Sequence, residues 1–501
     1  MVVDPGSHSR FAHPAWLALM ALSAGVSLVL TLGPMQRLAG LSWHDSQRLA
    51  QVALLLVLAL LLVGRPGWAW FQAGLVPRPV VGLLAAMAVL GLASVMQARY
   101  PQVAFIDFGL WLGCALLAWA VAALRARIGA AADPLMLLIL LVPVLFYALG
   151  FWLRYLGLLL VAVAPDQANL LDGFQNRRFM SQWQTPLLAA GGGLVLWLWP
   201  RSRAAALALS VVLVQWWCIN LWTGSRSTLL GLLVAGALTL MVYPGRWRWL
   251  AVQMALLGAG LVLYWLSADA LLSWVGLAQA PLWEGRMTAE GLANPAGRDL
   301  LWLEAWRQGL AAPWLGSGPA HFVDALTADF AHPHNLVLQF LAEWGMPATA
   351  LLLVLMGLLA SSGWRSLRRA PDALTLALAG GVAASVAHAM TDGIHVMPLG
   401  QLGAAIFLGW LLGLLVQPAH PVTRRDGGTP TLALRLAGLT AAAAMLMALT
   451  QVPGLRQQQD LVASIDGKTT RLVQFLPRTW QSGILLQPSE LQLPRRRRAM
   501  P

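Results

Sequence analysis

Three residues in the middle of the chain, Arg226, Arg298 and His334, have types and positions suited to phosphate and proton chemistry. His334 lies in Ala331-His332-Pro333-His334-Asn335-Leu336, which leads directly into an apolar run. Proline favours the first position of a helix, so the sequence places His334 in the first helical turn. Helix N-termini attract anions and disfavour imidazolium, which would keep His334 neutral and able to accept a proton, as a general base must. A histidine that only anchors a helix at a membrane boundary would carry the same signature. His332 precedes the proline and belongs to extended chain; it and Asn335 are supporting positions.

Arg298 opens the stretch Gly297-Arg298-Asp299-Leu300-Leu301-Trp302-Leu303-Glu304-Ala305-Trp306-Arg307, where Leu300, Leu303, Trp306 and Leu310 recur at helical spacing. The pattern predicts an amphipathic helix resting on a membrane surface. A cation in its first turn opposes the helix dipole at a cost of about 0.3–1 kcal/mol unless an anion compensates. A pair with Asp299 or Glu304 is the plainer account. Arg226 sits in Thr223-Gly224-Ser225-Arg226-Ser227-Thr228, a turn between apolar runs whose hydroxyls can cap the next helix; snorkelling to lipid phosphate is its alternative. Arg177 and Arg178 add two cations in Phe174-Gln175-Asn176-Arg177-Arg178-Phe179. Glu343 lies inside the apolar run after His334, where a carboxylate needs a partner or a cavity. Pro313-Trp314-Leu315-Gly316-Ser317-Gly318-Pro319 is turn-rich scaffold rather than reagent. Arginines and a histidine converging on one face suit a lipid-linked phosphate or diphosphate. No Walker loop, HExxH or Asp-x-Asp pair occurs, so no cofactor and no metal is expected.

The elements that hold these residues are membrane helices. Of 501 residues, 58% are hydrophobic and 11% charged, against about 25% charged in soluble domains. Apolar runs near the ~20 residues that span a bilayer occur at 14–34, 48–64, 79–98, 103–124, 134–160, 184–199, 203–221, 227–243, 248–266, 334–360, 373–391, 398–416 and 432–451. The fold class is thus all-α integral membrane, a bundle of about 12–13 helices with a long outside loop containing amphipathic helices. The first run is longer than a signal-peptide core and is taken as a retained span. Cys114 and Cys218 fall inside apolar runs, so no disulfide framework is expected. The net charge of +13 comes from arginines in short loops rather than one basic domain, which favours membrane topology over nucleic acid.

Orientation follows from those loops. With the N-terminus inside, the inner loops hold Arg65 and Arg78, Arg125 and Arg127, Arg201 and Arg203, Arg246 and Arg248, Arg365 to Arg369, and Arg424 and Arg425, whereas the short outer loops hold Arg37, Arg48, Arg99 and Arg226. The chain divides into an N-terminal membrane bundle at 1–266, an outside loop at 267–333, C-terminal membrane helices at 334–451 and a short tail at 452–501, expected outside.

In order and type, Gly297-Arg298 with Leu301-Trp302, then Pro313 to Pro319, then His334-Asn335-Leu336 with Glu343-Trp344-Gly345, resemble the O-antigen ligase and polymerase superfamily of bacterial envelope glycosyltransferases. The resemblance covers roughly residues 205–415. It implies a GT-C-like bundle in the bacterial inner membrane with its active site facing the periplasm. It also implies metal-independent, inverting transfer of a glycan from undecaprenyl diphosphate to an acceptor hydroxyl. Arg226 and Arg298 would hold the diphosphate, and His334 would activate the acceptor. The acceptor stays open between lipid A-core for a ligase, another repeat unit for a polymerase, and protein for an O-oligosaccharyltransferase. A polysaccharide transporter or lipid flippase is the rival class. It would place charges or broken helices near the bilayer midplane, and apart from Glu343 and Gly-rich stretches such as Gly191-Gly192-Gly193 the chain keeps its polar residues at the outer boundary.

Overall fold

Each apolar run becomes a helix: Pro14–Leu32 (α1), Trp43–Gly64 (α2), Arg78–Gln97 (α3), Pro101–Ile128 (α4), Asp133–Leu160 (α5), Arg177–Leu198 (α6), Arg203–Thr223 (α7), Arg226–Val242 (α8) and Arg246–Trp265 (α9), then Leu336–Arg369 (α11), Ala373–Ala389 (α12), Pro398–Leu415 (α13) and Thr429–Thr450 (α14). The amphipathic stretch forms its own helix, Arg298–Ala311 (α10). The structure, a computed structural model, describes residues 14–38, 40–64, 78–174, 176–278, 297–322, 331–369, 372–415 and 429–453. Most of the predicted tail, including Arg495 to Arg498, and segments 279–296 and 323–330 of the long loop lie outside the described residues.

Among the described residues, eight helical segments are long and apolar enough to cross a membrane. One of them, Pro101–Leu160, is α4 and α5 joined through a single turn. Three shorter apolar helices, α1, α8 and α12, join them, and no strand occurs among the described residues. The protein is an all-α, multi-pass membrane bundle.

Two helices start earlier than hydropathy predicts. Helix α2 begins at Trp43 rather than residue 48, and α6 at Arg177 rather than 184. Their first turns carry polar side chains that are buried against other helices: His44, Asp45, Gln47, Arg48 and Gln51 on α2, and Ser181, Gln182, Gln184 and Thr185 on α6. Arg48 therefore lies inside a membrane helix, not in an outer loop. Arg226, expected in a turn, is the first residue of α8, because Ser225 caps that helix by accepting from Thr228 N.

The interior is knitted by helices distant in sequence. Helix α12 packs on α6 and α8, α13 on α4, and α14 on α2 and α4. Small residues allow the close approach, as membrane helices require. A Cβ on Gly231 of α8 would stand 2.9 Å from the Ala384 carbonyl of α12.

Helix α10 lies along α11. Leu301, Ala305 and Gly309 face inward, with Gly309 so close to Leu341 that a Cβ would approach Cγ to 2.5 Å. Leu300, Leu303, Trp306 and Leu310 are exposed on the other side, the apolar face expected of a helix lying at a membrane surface. The turn after α10 fits into a break in α11, where Gly345 is non-helical at φ 81°. Met346 N donates to Pro313 O at 2.7 Å, and Gly318 N donates to Glu343 O at 2.9 Å. Gly316, at φ 68°, would drive a Cβ to 2.2 Å from the Glu343 backbone, so the contact needs glycine there.

Candidate active site

The start of α11 meets the last turn of α12 at His334. Helix α11 begins two residues beyond it, so His334 is not in the first turn as the proline suggested. Asn335 takes the capping position, its Oδ1 accepting from Leu338 N at 3.0 Å while its Nδ2 donates to Met390 O at 3.1 Å. His334 is left in the left-handed region at φ 55°, a conformation that costs a non-glycine residue about 1–3 kcal/mol and persists only where surroundings enforce it.

The enforcing contacts are present. His334 N donates to His332 Nδ1 at 3.2 Å, and the two rings lie 4.2 Å apart. His334 Nδ1 stands 3.2 Å from Oδ1 of Asp392, a residue the sequence reading did not single out. Asp392 is 2% exposed, His334 12%. The same carboxylate oxygen accepts from Gln182 Nε2 at 3.1 Å and from Gly393 N at 2.7 Å. Burial alone would raise the Asp392 carboxyl. The hydrogen bond from His334, the charges of His334 and His388 and the Gly393 amide outweigh it and hold the group well below the usual carboxylate range. An ionised Asp392 accepts the Nδ1 proton of His334 and so places the imidazole lone pair on Nε2. Gly393 lets His332 lie against this turn, since a Cβ there would strike the His332 ring at 2.6 Å.

On its other oxygen Asp392 faces His388 Nε2 at 3.9 Å. His388 Nδ1 lies 2.8 Å from Thr185 Oγ1, and Thr185 lies 2.9 Å from Thr228 Oγ1. These contacts fasten the first turns of α6 and α8, which carry Arg178 and Arg226, to the end of α12 and hence to Asp392. Arg298 opens α10 and joins the same group. Burial pulls its guanidinium pKa down, the Asp392 carboxylate opposes this, and the positive charges of Arg178 and Arg226 reinforce it. The carboxylate that acts on it is Asp392 rather than the Asp299 or Glu304 of its own helix. Its Nε is buried without a hydrogen-bond partner. Arg177 precedes Arg178 at the head of α6. Three arginines in the first turns of three helices, each at the positive end of a dipole, lie within electrostatic reach of one another, an arrangement that favours an added anion.

The structure thus brings His332, His334, Arg298, Arg226 and Arg178 into one neighbourhood with Asp392. Glu343 serves elsewhere: fully buried, it accepts from Phe322 N at 3.2 Å and secures the turn after α10. Asp392, His388 and Gln182 escaped sequence reading, although His388, Asp392 and His395 are the titratable residues of an otherwise uncharged stretch from 373 to 416.

A helical membrane bundle with an arginine and histidine-carboxylate cluster where helix ends meet defines the class: a multi-pass membrane protein. The family model described as O-antigen ligase matches residues 211–353. The matched region includes Arg226, Arg298, His332 and His334, whereas Arg178, His388 and Asp392 lie outside it. No match is found among curated proteins.

Proposed function

We propose that the protein is an inverting glycosyltransferase that moves a glycan from undecaprenyl diphosphate to an acceptor hydroxyl, that of lipid A-core, at the periplasmic face of the bacterial inner membrane. The observation that carries this reading is the His334–Asp392 pair set beside Arg298, with Arg178 and Arg226 within electrostatic reach.

In the reaction, His334 Nε2 takes the proton of the acceptor hydroxyl while Nδ1–H stays bonded to Asp392, which stabilises the imidazolium that forms. The hydroxyl oxygen attacks the anomeric carbon from the face opposite the diphosphate. The carbon–oxygen bond to the diphosphate breaks, its electron pair passes to the phosphate oxygen, and the configuration inverts. Arg298, Arg226 and Arg178 meet the charge that develops on the leaving diphosphate, where preformed donors in a desolvated site act most strongly.

Competition tests the acceptor. Purified protein in lipid nanodiscs receives a labelled lipid-linked oligosaccharide with lipid A-core, a second lipid-linked unit and a periplasmic protein together. Label on lipid A-core is the expected result. Label on a repeat unit or on protein would move the enzyme to the polymerase or protein-glycosylating branch, and no transfer to any acceptor would overturn the reading.

A further inference from the structure

Arg48, on membrane helix α2, is 1% exposed. An ionisable side chain inside a span is costly and is kept where it faces the bundle interior and does specific work. Its guanidinium fork holds three acceptors. Nη1 donates to Gln51 Oε1 at 2.5 Å and to Gln401 Oε1 at 2.7 Å, and Nη2 donates to the Val396 carbonyl. Gln51 Nε2 also donates to Gln401 Oε1, at 3.0 Å, so that amide is fixed from two sides. Its own Nε2 then donates to the His395 carbonyl at 2.9 Å.

His395 and Val396 belong to the turn that joins α12 to α13, closed by Val396 N donating to Gly393 O at 2.9 Å and Met397 N to the same oxygen at 3.1 Å. Asp392 stands at the head of that turn, bonded to Gly393 N and to His334. Arg48 and Gln401 thus satisfy the two carbonyls on the far side of the turn whose near side aims Asp392. Buried carbonyls without mates are costly and would relax toward other partners, taking the turn with them.

We propose that Arg48 is a positioning residue for glycan transfer, fixing Asp392 against His334 through Val396 and Gln401. The proposal rests on the roles given above to His334 and Asp392. If Arg48 only braced the fold, its loss would lower the amount of folded protein and leave the rate per folded molecule intact.

A double-mutant cycle separates the two, with the full-length protein in nanodiscs and R48Q, D392N and the double variant assayed at saturating donor. The expected result is R48Q inserted at wild-type abundance, with kcat down about 10-fold and donor KM changed less than about twofold. The double variant is expected to be no slower than D392N, because residues acting through one another are not additive. R48K, which keeps the charge but not the fork, should recover only part of the rate. An unchanged kcat in R48Q, or a double variant slowed by the product of the single effects, would overturn the proposal. If R48Q fails to insert, R48K takes its place in the cycle with the same two outcomes. Wild-type protein that transfers nothing, or H334A that transfers normally, would instead remove the reading beneath it, and the proposal with it.

Discussion

His334 Nδ1 lies 3.2 Å from Asp392 Oδ1 while the His334 backbone is held at φ 55°. The strained backbone and the hydrogen-bond geometry belong together, because the left-handed turn is what swings the imidazole from the head of α11 toward the end of α12. Replacing Asp392 with Asn keeps the shape and removes the charge that supports a transient imidazolium. The expected outcome is a fall in kcat of about 10²–10⁴-fold, the range attributed to positioned acid–base groups, with donor KM little changed. Initial rates at saturating donor check this, and an undiminished kcat would contradict it.

The arginines should trade stability for binding. In the absence of donor, Arg298 is a partly buried cation at the positive end of α10, with Arg178 and Arg226 adding repulsion. Arg298→Ala is therefore expected to leave the melting temperature unchanged or raised while weakening donor binding about 10–100-fold, the value of one charge-assisted hydrogen bond. Arg226→Ala and Arg178→Ala should act in the same direction, and Arg298→Lys should restore only part. Thermal unfolding with and without lipid-linked donor reads both quantities on one sample.

The pH dependence of stability has a definite sign. Asp392 is held below the usual carboxylate range, so its contribution is complete above its unfolded value of about 3.9 and is lost only as pH falls through the lower folded value. The difference in melting temperature between wild type and D392N is expected to be flat from about pH 5 to 9 and to shrink below about pH 4. An acid limb in kcat within the neutral range would then belong to a group other than Asp392.

The turn after α10 depends on two glycines. Gly316→Ala would place a Cβ 2.2 Å from the Glu343 backbone in a residue at φ 68°. The strain alone is about 1–3 kcal/mol before the clash is counted. Ser317→Ala removes one hydroxyl bond, to the Ala342 carbonyl at 3.1 Å, at a cost of about 0.5–1.5 kcal/mol. Melting curves in detergent should rank the glycine variant as the more damaged, and Gly345→Ala, at φ 81° against the Trp314 carbonyl, should fall with it.

The bundle was legible because apolar length is a strong signal, and each run found its helix. What hydropathy missed were helix ends whose polar residues are buried. Arg48 reads as a loop residue and the first turns of α6 as water-facing chain, whereas in the fold Gln182 donates to Asp392 and Gln184 bonds Asn220 and the Trp216 carbonyl of α7. His334, Arg298 and Arg226 stand out in the sequence by local motif and position, but Asp392 does not, since its contact with His334 depends on helix α12 meeting the start of α11 across more than fifty residues of chain. The proline beside His334 misled for a local reason: Asn335 is the better cap, so the helix begins after it and the histidine is freed to turn.

Single-turnover transfer by wild type and H334A tests the central claim most directly, with both proteins in nanodiscs preloaded with labelled undecaprenyl-diphosphate-linked glycan and then given lipid A-core. The account predicts that both bind the donor, that wild type passes the label to lipid A-core with inverted anomeric configuration, and that H334A leaves it on the polyprenyl diphosphate. Equal transfer by the two proteins, or a retained configuration in the product, would contradict it.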